Sequence, residues 1–537
     1  MNAIKRSYRL CSLLLIQILL LFGFYTHVIS GSVYDTFLEC MSNRNSSDHV
    51  SSVIYNPNNS SYISTLQAYI RNKRFNTSST PKPVIIVTPL HETHVQSTIV
   101  CSKNMGMNLR IRSGGHDFEG LSYVSNVTFV LLDMSNLRSI SVDIEEETAT
   151  VQVGATIGEL YYNIWKKSKV HAFPAGVCPT VGVGGHISGG GYGVLMRKYG
   201  LTVDNIIDAT IVDVNGSVFN RTLMGEDLFW AIRGGGGASF GVVLSFKLQL
   251  VRVPENVTVF RVSKTLEENA TDIVNRWQYV ADKIDKDLFV RLNLKPDNTK
   301  NTIHASFTAF FLGNPERLVS VMTTGFPELG IQKNDCKSMS WIESELFWSS
   351  NVKNPVEILL ERSRFSAKFA KRKSDYLQTP IPRDGIESLW RKMLELRVVE
   401  LVLNPYGGRM SEIGDHETPF PHRAGNIFKI EYSVNWDEEG AVAKGYYLNQ
   451  TRVLYEFMTP FVSKNPRGAY LNYRDLDIGT GVVGNNSYTD GKVYGEKYFK
   501  GNFDRLVKVK TMVDGDNFFT NEQSIPCLTS RRMKMVK

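Results

Sequence analysis

Three glycine clusters constrain the fold of this chain more than any other feature. They read SGGHDFEG at 113–120, GVGGHISGGGYG at 182–193 and RGGGGASFG at 233–241. Glycine at this density costs backbone entropy, so in a folded domain it marks positive φ angles or close approach of the backbone to a ligand. Successive N–H groups in such loops form concavities that suit a pyrophosphate. Because strand or helix patterns flank each cluster, the sequence predicts a nucleotide site rather than flexible linkers.

The clusters do not match the dinucleotide fingerprint of a Rossmann dehydrogenase. The second cluster has no G-x-G-x-x-G in register, and no acidic residue ends a second strand about 20 residues later. The sequence therefore favours a different nucleotide-binding fold.

The pattern of apolar residues divides the chain into three parts. Short β-branched runs such as 84–89 alternate with amphipathic helical segments such as 91–106, up to about residue 253. From about 254 to 460, long helices and alternating strands indicate a separate α+β domain. The segment 469–526 is rich in aromatic and turn residues but poor in apolar ones, so we expect it to dock on an earlier domain.

The N-terminus has the pattern of a secretory signal. Lys5, Arg6 and Arg9 precede an apolar run that ends at Phe24. The short apolar core, with no stop-transfer pattern after it, predicts a signal peptide over residues 1–30 rather than a membrane anchor. We expect a soluble glycoprotein of the secretory pathway, located outside the cell in the apoplast or in the vacuole.

Glycosylation motifs and charge agree with that route. A formal net charge of +8, dispersed along the chain, does not indicate a nucleic-acid partner. Frequent N-x-S/T triplets are expected of a chain that passes through the ER. They predict glycosylation at Asn45, Asn58, Asn59, Asn76, Asn126, Asn215, Asn220, Asn256, Asn269, Asn449 and Asn485.

The cysteines left after removal of the signal are odd in number. An odd count in an oxidising compartment indicates at least one thiol with another fate. Cys40 and Cys101 both lie near the N-terminus and could close one bridge. No Cys/His spacing predicts a metal site, because the HETH sequence at 91–94 lacks further ligands. The five cysteines are Cys40, Cys101, Cys178, Cys336 and Cys527.

Four segments together resemble the berberine bridge enzyme-like family of plant FAD-linked oxidases, within the vanillyl-alcohol-oxidase-type flavoprotein fold. They are RSGGHDFEGLSY at 112–123, CPTVGVGGHISGGGYG at 178–193, YLNYRDLDIG at 470–479 and the run from GEKYF to QSIP at 495–526.

The resemblance covers essentially the whole chain after the signal and implies an α+β fold. Its parts are a two-subdomain FAD-binding domain of the PCMH/VAO type at 31–255, with a core at about 80–255, and an α+β substrate domain with an antiparallel sheet at 256–460. A C-terminal segment at 461–537 docks back on the FAD domain and completes it.

The resemblance also implies FAD bonded to two side chains. The histidine of the R-S-G-G-H motif is His116, which would be bonded to the flavin 8α-methyl group, and the cysteine of C-P-T-V-G is Cys178, which would be bonded to flavin C6. Imidazole and thiolate are the side-chain nucleophiles able to add to an electron-poor ring. This use of Cys178 accounts for the odd cysteine, and the early disulfide of the family falls on Cys40 and Cys101.

Other residues of the two motifs are expected to contact the cofactor. Val181 falls at the position proposed to gate dioxygen in the family, where a small β-branched residue is associated with oxidase behaviour. The remaining expected cofactor contacts are Arg112, Ser113, Gly114, Gly115, Gly182, Gly184, Gly185, His186, Gly189 and Gly190.

On the substrate side, the resemblance implies that Tyr473 is the catalytic base. A phenol with a pKa near 10 is a poor base at neutral pH unless a cation stabilises the phenolate. Lys429 falls where alcohol-oxidising relatives carry such a lysine, which would lower the pKa of Tyr473. Glu431 would point to the same side of the strand, where those relatives often have glutamine. Tyr192 matches a second pocket tyrosine, and Phe118 stands where some relatives have tyrosine.

We therefore expect a monomeric oxidase that takes a hydride from a plant specialised metabolite and delivers it through FAD to dioxygen, giving hydrogen peroxide. The expected substrates are aromatic or allylic alcohols, prenylated phenols and alkaloids. Three alternatives stay open: an oligosaccharide oxidase, a catalyst of ring closure or cycloaddition without net redox change, and an extracellular glycoprotein with vestigial activity.

Overall fold

The computed structural model describes residues 33–44, 50–362, 367–484 and 486–528. The predicted signal peptide, the sequons at Asn45 and Asn485 and the basic C-terminal end lie outside the described residues. The α-helices are 33–44, Tyr62–Gln67, Glu92–Asn104, Ile157–Lys167, Val183–Ser188, Met196–Tyr199, Arg221–Ile232, Ala270–Val280, Pro315–Gly325, Trp341–Trp348, Arg383–Leu396, Arg409–Glu412, Ala441–Phe457, Tyr488–Phe499 and Phe503–Val513.

The first sheet of the N-terminal half contains parallel strands. Phe129–Asp133 lies between two parallel neighbours, and all five of its residues are buried. A strand covered on both faces is expected to be apolar throughout, which explains the FVLL sequence. In spatial order the strands are Ile54–Tyr55, Ile85–Val87, Phe129–Asp133 and Asn108–Arg112.

The second sheet of this half has five antiparallel strands, beside a short two-stranded ribbon. Its central strand, Val242–Gln249, follows directly on the third glycine cluster and so fixes that cluster against the core. In spatial order the five strands are Ile140–Asp143, Thr148–Gln152, Val242–Gln249, Ile206–Val212 and Val218–Phe219, and the ribbon pairs His171–Ala172 with Val251–Arg252.

The third large sheet has seven antiparallel strands, all within the predicted substrate domain. Helices Ala270–Val280 and Arg383–Leu396 cover one face, because Ile386, Leu389 and Met393 recur at helical spacing and are buried. In spatial order the strands are Lys337–Met339, Val257–Lys264, Thr302–Phe311, Leu288–Asp297, Glu400–Pro405, Phe428–Trp436 and Phe369–Leu377. Arg291, Arg372 and Glu431 of this sheet line the cavity described below.

The C-terminal segment packs on the N-terminal half, as the sequence predicts. Leu506 and Val507 of helix Phe503–Val513 are fully buried in the core that also contains Trp230. Lys510 and Asp514 form a fully buried ion pair, and Lys510 Nζ also donates to the carbonyl of Ser239, 2.7 Å away. A buried ammonium needs such partners to offset its lost hydration.

The α+β fold is thus confirmed, and so is the predicted disulfide. Cys40 and Cys101 are bonded, with Cα atoms 5.9 Å apart. Within the described ranges Cys178, Cys336 and Cys527 are free thiols.

Candidate active site

A cavity of about 560 Å³ lies where the glycine clusters, the large sheet and the C-terminal segment meet. Most of the residues predicted to bind the cofactor or substrate line it. They are Ser113, Gly114, Gly115, His116, Cys178, Val181, Gly182, Gly184, Gly185, His186, Gly189, Tyr192, Glu431 and Tyr473.

One wall of the cavity is built from glycine backbone. A Cβ atom on Gly182 would lie 2.2 Å from the backbone nitrogen of Gly114, so the first two clusters touch without side chains between them. Gly115 has a φ of +69°, which favours glycine. Gly185 faces open space, with nothing within 4 Å of its Cβ position. This wall fits an extended ligand with a pyrophosphate, because backbone N–H groups can approach it closely.

Two residues predicted to contact the cofactor do not line the cavity. Arg112 is opposite Asp133 in the strand register and donates to its carboxylate, with Nε–Oδ2 3.1 Å. It also donates to the carbonyls of Thr65 and Leu66, so it ties the first sheet to the preceding helix. Gly190 instead packs against the rings of Phe420 and Tyr470.

His116 and Cys178 lie on the same wall and share one neighbour. The Oγ1 atom of Thr180 is 2.9 Å from His116 Nε2 and 3.7 Å from Cys178 Sγ. Burial and the charge of Arg71 lower the pKa of His116 to about 3, so the imidazole is neutral. Burial raises the pKa of the Cys178 thiol, although the hydrogen bond from Thr180 acts in the opposite direction. Sequence reasoning missed Thr180.

A cluster of tyrosines around Lys429 forms the opposite wall. The hydroxyl groups of Tyr192 and Tyr473 form a short hydrogen bond. Lys429 Nζ lies behind them, 3.2 Å from the ring centre of Tyr192, 3.9 Å from that of Tyr470 and 4.4 Å from that of Tyr473. Lys429 reaches this place because its strand pairs with Asn404 on one side and Tyr376 on the other.

Burial dominates the titration of this cluster. It raises the pKa of Tyr473 well above the ordinary 10, the charge of Glu431 adds to the rise, and Arg291 opposes it. Burial also lowers the pKa of Lys429 well below its ordinary value. Lys429 is therefore as close to Tyr473 as predicted, but the pKa of Tyr473 moves upwards, because the closed site disfavours a charge on either group.

Side chains of the large sheet complete the substrate side. Glu431 pairs with Arg372, whose Nε is 3.0 Å from Oε1, and the Arg372 guanidinium lies 5.1 Å from the ring centre of Phe118. Arg291 Nε donates to Asn404 Oδ1, 2.7 Å away. Arg291 and Arg372 were not predicted, since nothing in their local sequence distinguishes them from solvent-facing strand residues.

A buried ion cluster ties together the loops that carry these groups. Lys371 Nζ lies 2.5 Å from Glu119 and 2.6 Å from Asp475, and Lys373 Nζ lies 2.5 Å from Asp475. Glu119 is three residues after His116, and Asp475 is two residues after Tyr473. The large sheet therefore fixes the predicted attachment loop and the predicted base through the same charges.

No three or more His, Cys, Asp or Glu side chains are grouped to hold a metal ion in the described part of the chain. Among the same residues, no helix combines the length and apolar character needed to cross a membrane.

Two family models match segments of this chain that contribute to the cavity. A family model described as an FAD binding domain matches residues 83–221, and one described as berberine and berberine like matches residues 469–526. Berberine bridge enzyme-like 21 of Arabidopsis thaliana is 57% identical over 510 residues, which cover 94% of this chain and 94% of that protein.

Solved structures agree in fold over nearly the whole chain. BBE-like #28 from Arabidopsis thaliana has a TM-score of 0.87 at 48% identity and covers 92% of this chain and 100% of its own. The grass pollen allergen Phl p 4, described as having glucose dehydrogenase activity, has a TM-score of 0.86 at 42% identity and covers 92% and 100%. A variant of that allergen with one isoleucine replaced by valine is described as a glucose oxidase.

Proposed function

Because the chain belongs to the berberine bridge enzyme-like family, we propose that it is a secreted oxidase of plant specialised metabolites that carries FAD on His116 and Cys178. Family membership makes the chain an FAD-dependent oxidoreductase that acts on a small molecule. Our proposal of covalent FAD and of an oxidase reaction rests on one observation. Tyr473 and Tyr192 line the same cavity as His116 and Cys178.

FAD would lie along the glycine wall, with its ring system at the end where His116 and Cys178 are found. When bound, FAD would accept a hydride from a substrate carbon and pass two electrons to dioxygen, which leaves as hydrogen peroxide. The imidazole of His116 is neutral, and the thiol of Cys178 lies on the same wall. Imidazole and thiolate are nucleophiles, so Cys178 would have to lose its thiol proton before it attacks.

Tyr473 would take the hydroxyl proton of the substrate as general base. Tyr192 shares a short hydrogen bond with it and would stabilise the phenolate form of Tyr473, which accepts the proton. Lys429 lies behind both rings and, when protonated, would favour the phenolate before the substrate proton is taken. Glu431 and Arg372 would contact polar groups of the substrate at the face of the sheet.

Val181 supports an oxidase rather than a dehydrogenase. It lines the cavity three residues after Cys178, at the position where the family is proposed to gate dioxygen. The pollen allergen described as a glucose dehydrogenase becomes one described as a glucose oxidase when an isoleucine is replaced by valine. A small β-branched side chain at the cavity wall is consistent with access of dioxygen.

The expected substrates are aromatic or allylic alcohols, prenylated phenols and alkaloids. Oligosaccharides oxidised at the reducing end are the second candidate, favoured by the glucose activity named for the pollen allergen. Secretion to the apoplast or vacuole and glycosylation belong to the same proposal and are supported by the signal pattern and the sequons. A monomeric state is proposed with them.

The proposed oxidase activity is tested by asking whether a candidate substrate transfers electrons to the flavin. Purified protein is mixed without oxygen with monolignols, prenylated phenols, alkaloids and cello-oligosaccharides, and the flavin absorbance is followed. At least one class should bleach the flavin, and readmitted air should restore the colour with one hydrogen peroxide per reduced flavin. If no compound reduces the flavin while rings close or cycloadducts form, the redox-neutral alternative replaces the oxidase.

A further inference from the structure

The side chain of Thr180 is placed to act on both predicted attachment residues. It is 1% exposed and lies behind the cavity wall, against both of these residues. Its hydroxyl oxygen is within hydrogen-bond distance of His116 Nε2, 2.9 Å away, and within the longer range typical of sulfur from Cys178 Sγ, 3.7 Å away. One atom therefore contacts two nucleophiles that are 62 positions apart in the sequence.

A hydroxyl has a single proton, so a hydrogen-bonded chain that passes through Thr180 from one neighbour to the other can run in two directions. In the first, the Cys178 thiol donates to Thr180 and Thr180 donates to His116 Nε2, which leaves the imidazole proton on Nδ1. In the second, His116 Nε2–H donates to Thr180 and Thr180 donates to a Cys178 thiolate, which leaves Nδ1 with a free lone pair.

The two orders differ by one proton. Removal of the Nδ1 proton from the first allows the Thr180 proton to move to Nε2 and the thiol proton to move to Thr180. The result is the second order, in which the imidazole Nδ1 and the sulfur are both nucleophilic. The loss of one proton thus prepares both groups.

We propose that Thr180 is a positioning residue for cofactor attachment, because its hydroxyl couples the protonation of Cys178 to the tautomer of His116. The inference rests on the proposed function, since it requires that FAD is bonded to both residues. It goes beyond that function by assigning a proton relay to a residue that touches the Cys178 sulfur and His116 Nε2, the ring nitrogen across from the nucleophilic Nδ1.

Bonding of the flavin to His116 and to Cys178 is an oxidation, with dioxygen as the oxidant. Each attachment replaces one flavin C–H bond by a C–N or C–S bond and gives up two protons, one from the flavin carbon and one from the histidine or cysteine. Two electrons remain on the flavin ring at each step, and dioxygen accepts them to give hydrogen peroxide. Thr180 itself is neither oxidised nor consumed.

The test compares three full-length variants with the wild type after expression under flavin limitation and addition of FAD in air. Thr180→Val keeps the shape but has no hydroxyl, and Thr180→Ser keeps the hydroxyl. Thr258→Val is the matched control, because Thr258 is also fully buried and its hydroxyl donates to the carbonyl of Gly313, away from the residues that line the cavity. The readouts are the time course of each flavin–peptide bond by mass spectrometry, and the pH dependence of Cys178 alkylation before FAD is added.

In Thr180→Val both bonds should form roughly 10- to 100-fold more slowly, as expected for loss of a hydrogen bond to a charged group. Alkylation of Cys178 should also require a higher pH. Thr180→Ser and Thr258→Val should follow the wild type. Thermal melting of each variant shows whether it is folded.

One possible result would contradict only the role of Thr180, and another would contradict the proposed function as well. If the wild type forms both bonds and folded Thr180→Val forms them at the same rate, the role of Thr180 is wrong while the proposed function stands. If the wild type itself forms no bond, bicovalent attachment is wrong and the inference about Thr180 fails with it. Slowing of only the Cys178 bond would overturn the coupling, because a shared relay must affect both.

Discussion

The two walls of the cavity are built by opposite means. The wall predicted to hold the cofactor is backbone, made by two short stretches of chain in which Gly114 and Gly182 touch. The substrate wall is made of side chains that come from strands far apart in the sequence, such as Arg291, Arg372 and Glu431. The first wall depends on the absence of Cβ atoms, whereas the second depends on charges and hydrogen bonds that single substitutions can change.

The largest effect should follow a change in the backbone wall. Gly182→Ala would place a Cβ atom 2.2 Å from the Gly114 nitrogen and from Ser113 Oγ. Overpacking against backbone should lower the free energy of unfolding by about 3 kcal/mol and prevent accumulation of flavin-bearing protein. Chemical denaturation and the ratio of flavin to protein absorbance measure both.

Gly185→Ala is the matched control for that substitution. Nothing lies within 4 Å of its Cβ position, so its unfolding should be unchanged while the added methyl group reduces flavin occupancy. Equal loss of stability in both variants would mean that the close approach of the two clusters does not hold the wall together.

On the substrate wall, Tyr473→Phe should leave the flavin in place but slow its reduction by about 10²- to 10⁴-fold, the usual contribution of a general base. Stopped-flow absorbance without oxygen, on protein with its full flavin content, measures the rate. A rate within a factor of two of the wild type would remove Tyr473 from the mechanism.

The pH dependence of flavin reduction shows whether the pKa of Tyr473 is raised by burial or lowered by Lys429. Its deprotonated form is the base, and burial raises its pKa well above 10. The rate of flavin reduction should therefore rise about tenfold per pH unit and show no plateau below pH 10. A plateau at pH 7 to 8 would mean that Lys429 lowers the pKa of Tyr473 in the complex with substrate.

The smallest effect is expected at Glu431. Its charge raises the pKa of Tyr473, so Glu431→Gln should move the pH–rate profile towards lower pH. Loss of its pairing with Arg372 should change KM by no more than about fivefold, since a partly exposed ion pair contributes little. Steady-state kinetics across pH, with Arg372→Lys as a second variant, test this; a profile that does not move would mean that Glu431 does not act on Tyr473.

The same contrast explains what the sequence could predict. The cavity is lined, as expected, by His116, Cys178 and most of the motif glycines. A wall built from consecutive backbone residues can be recognised from short sequence motifs. Arg112 lies within such a motif, but its side chain faces Asp133, and that depends on the register between two parallel strands. The register is a non-local property, and no local pattern encodes it.

The substrate wall was harder to predict for the same reason. The alternation of strand Phe428–Trp436 correctly places Lys429 and Glu431 on one face. It does not show that Lys429 is covered by three tyrosine rings while Glu431 lines the cavity. That difference arises because the C-terminal segment and the second glycine cluster bring Tyr473, Tyr470 and Tyr192 over the strand.

The central claim is that one cavity holds FAD bonded to both His116 and Cys178. Proteolysis of the purified protein followed by mass spectrometry tests it most directly. The account predicts one flavin that joins the peptide containing His116 to the peptide containing Cys178, with no FAD released by acid denaturation. Release of intact FAD, with both peptides recovered at their unmodified masses, would contradict it.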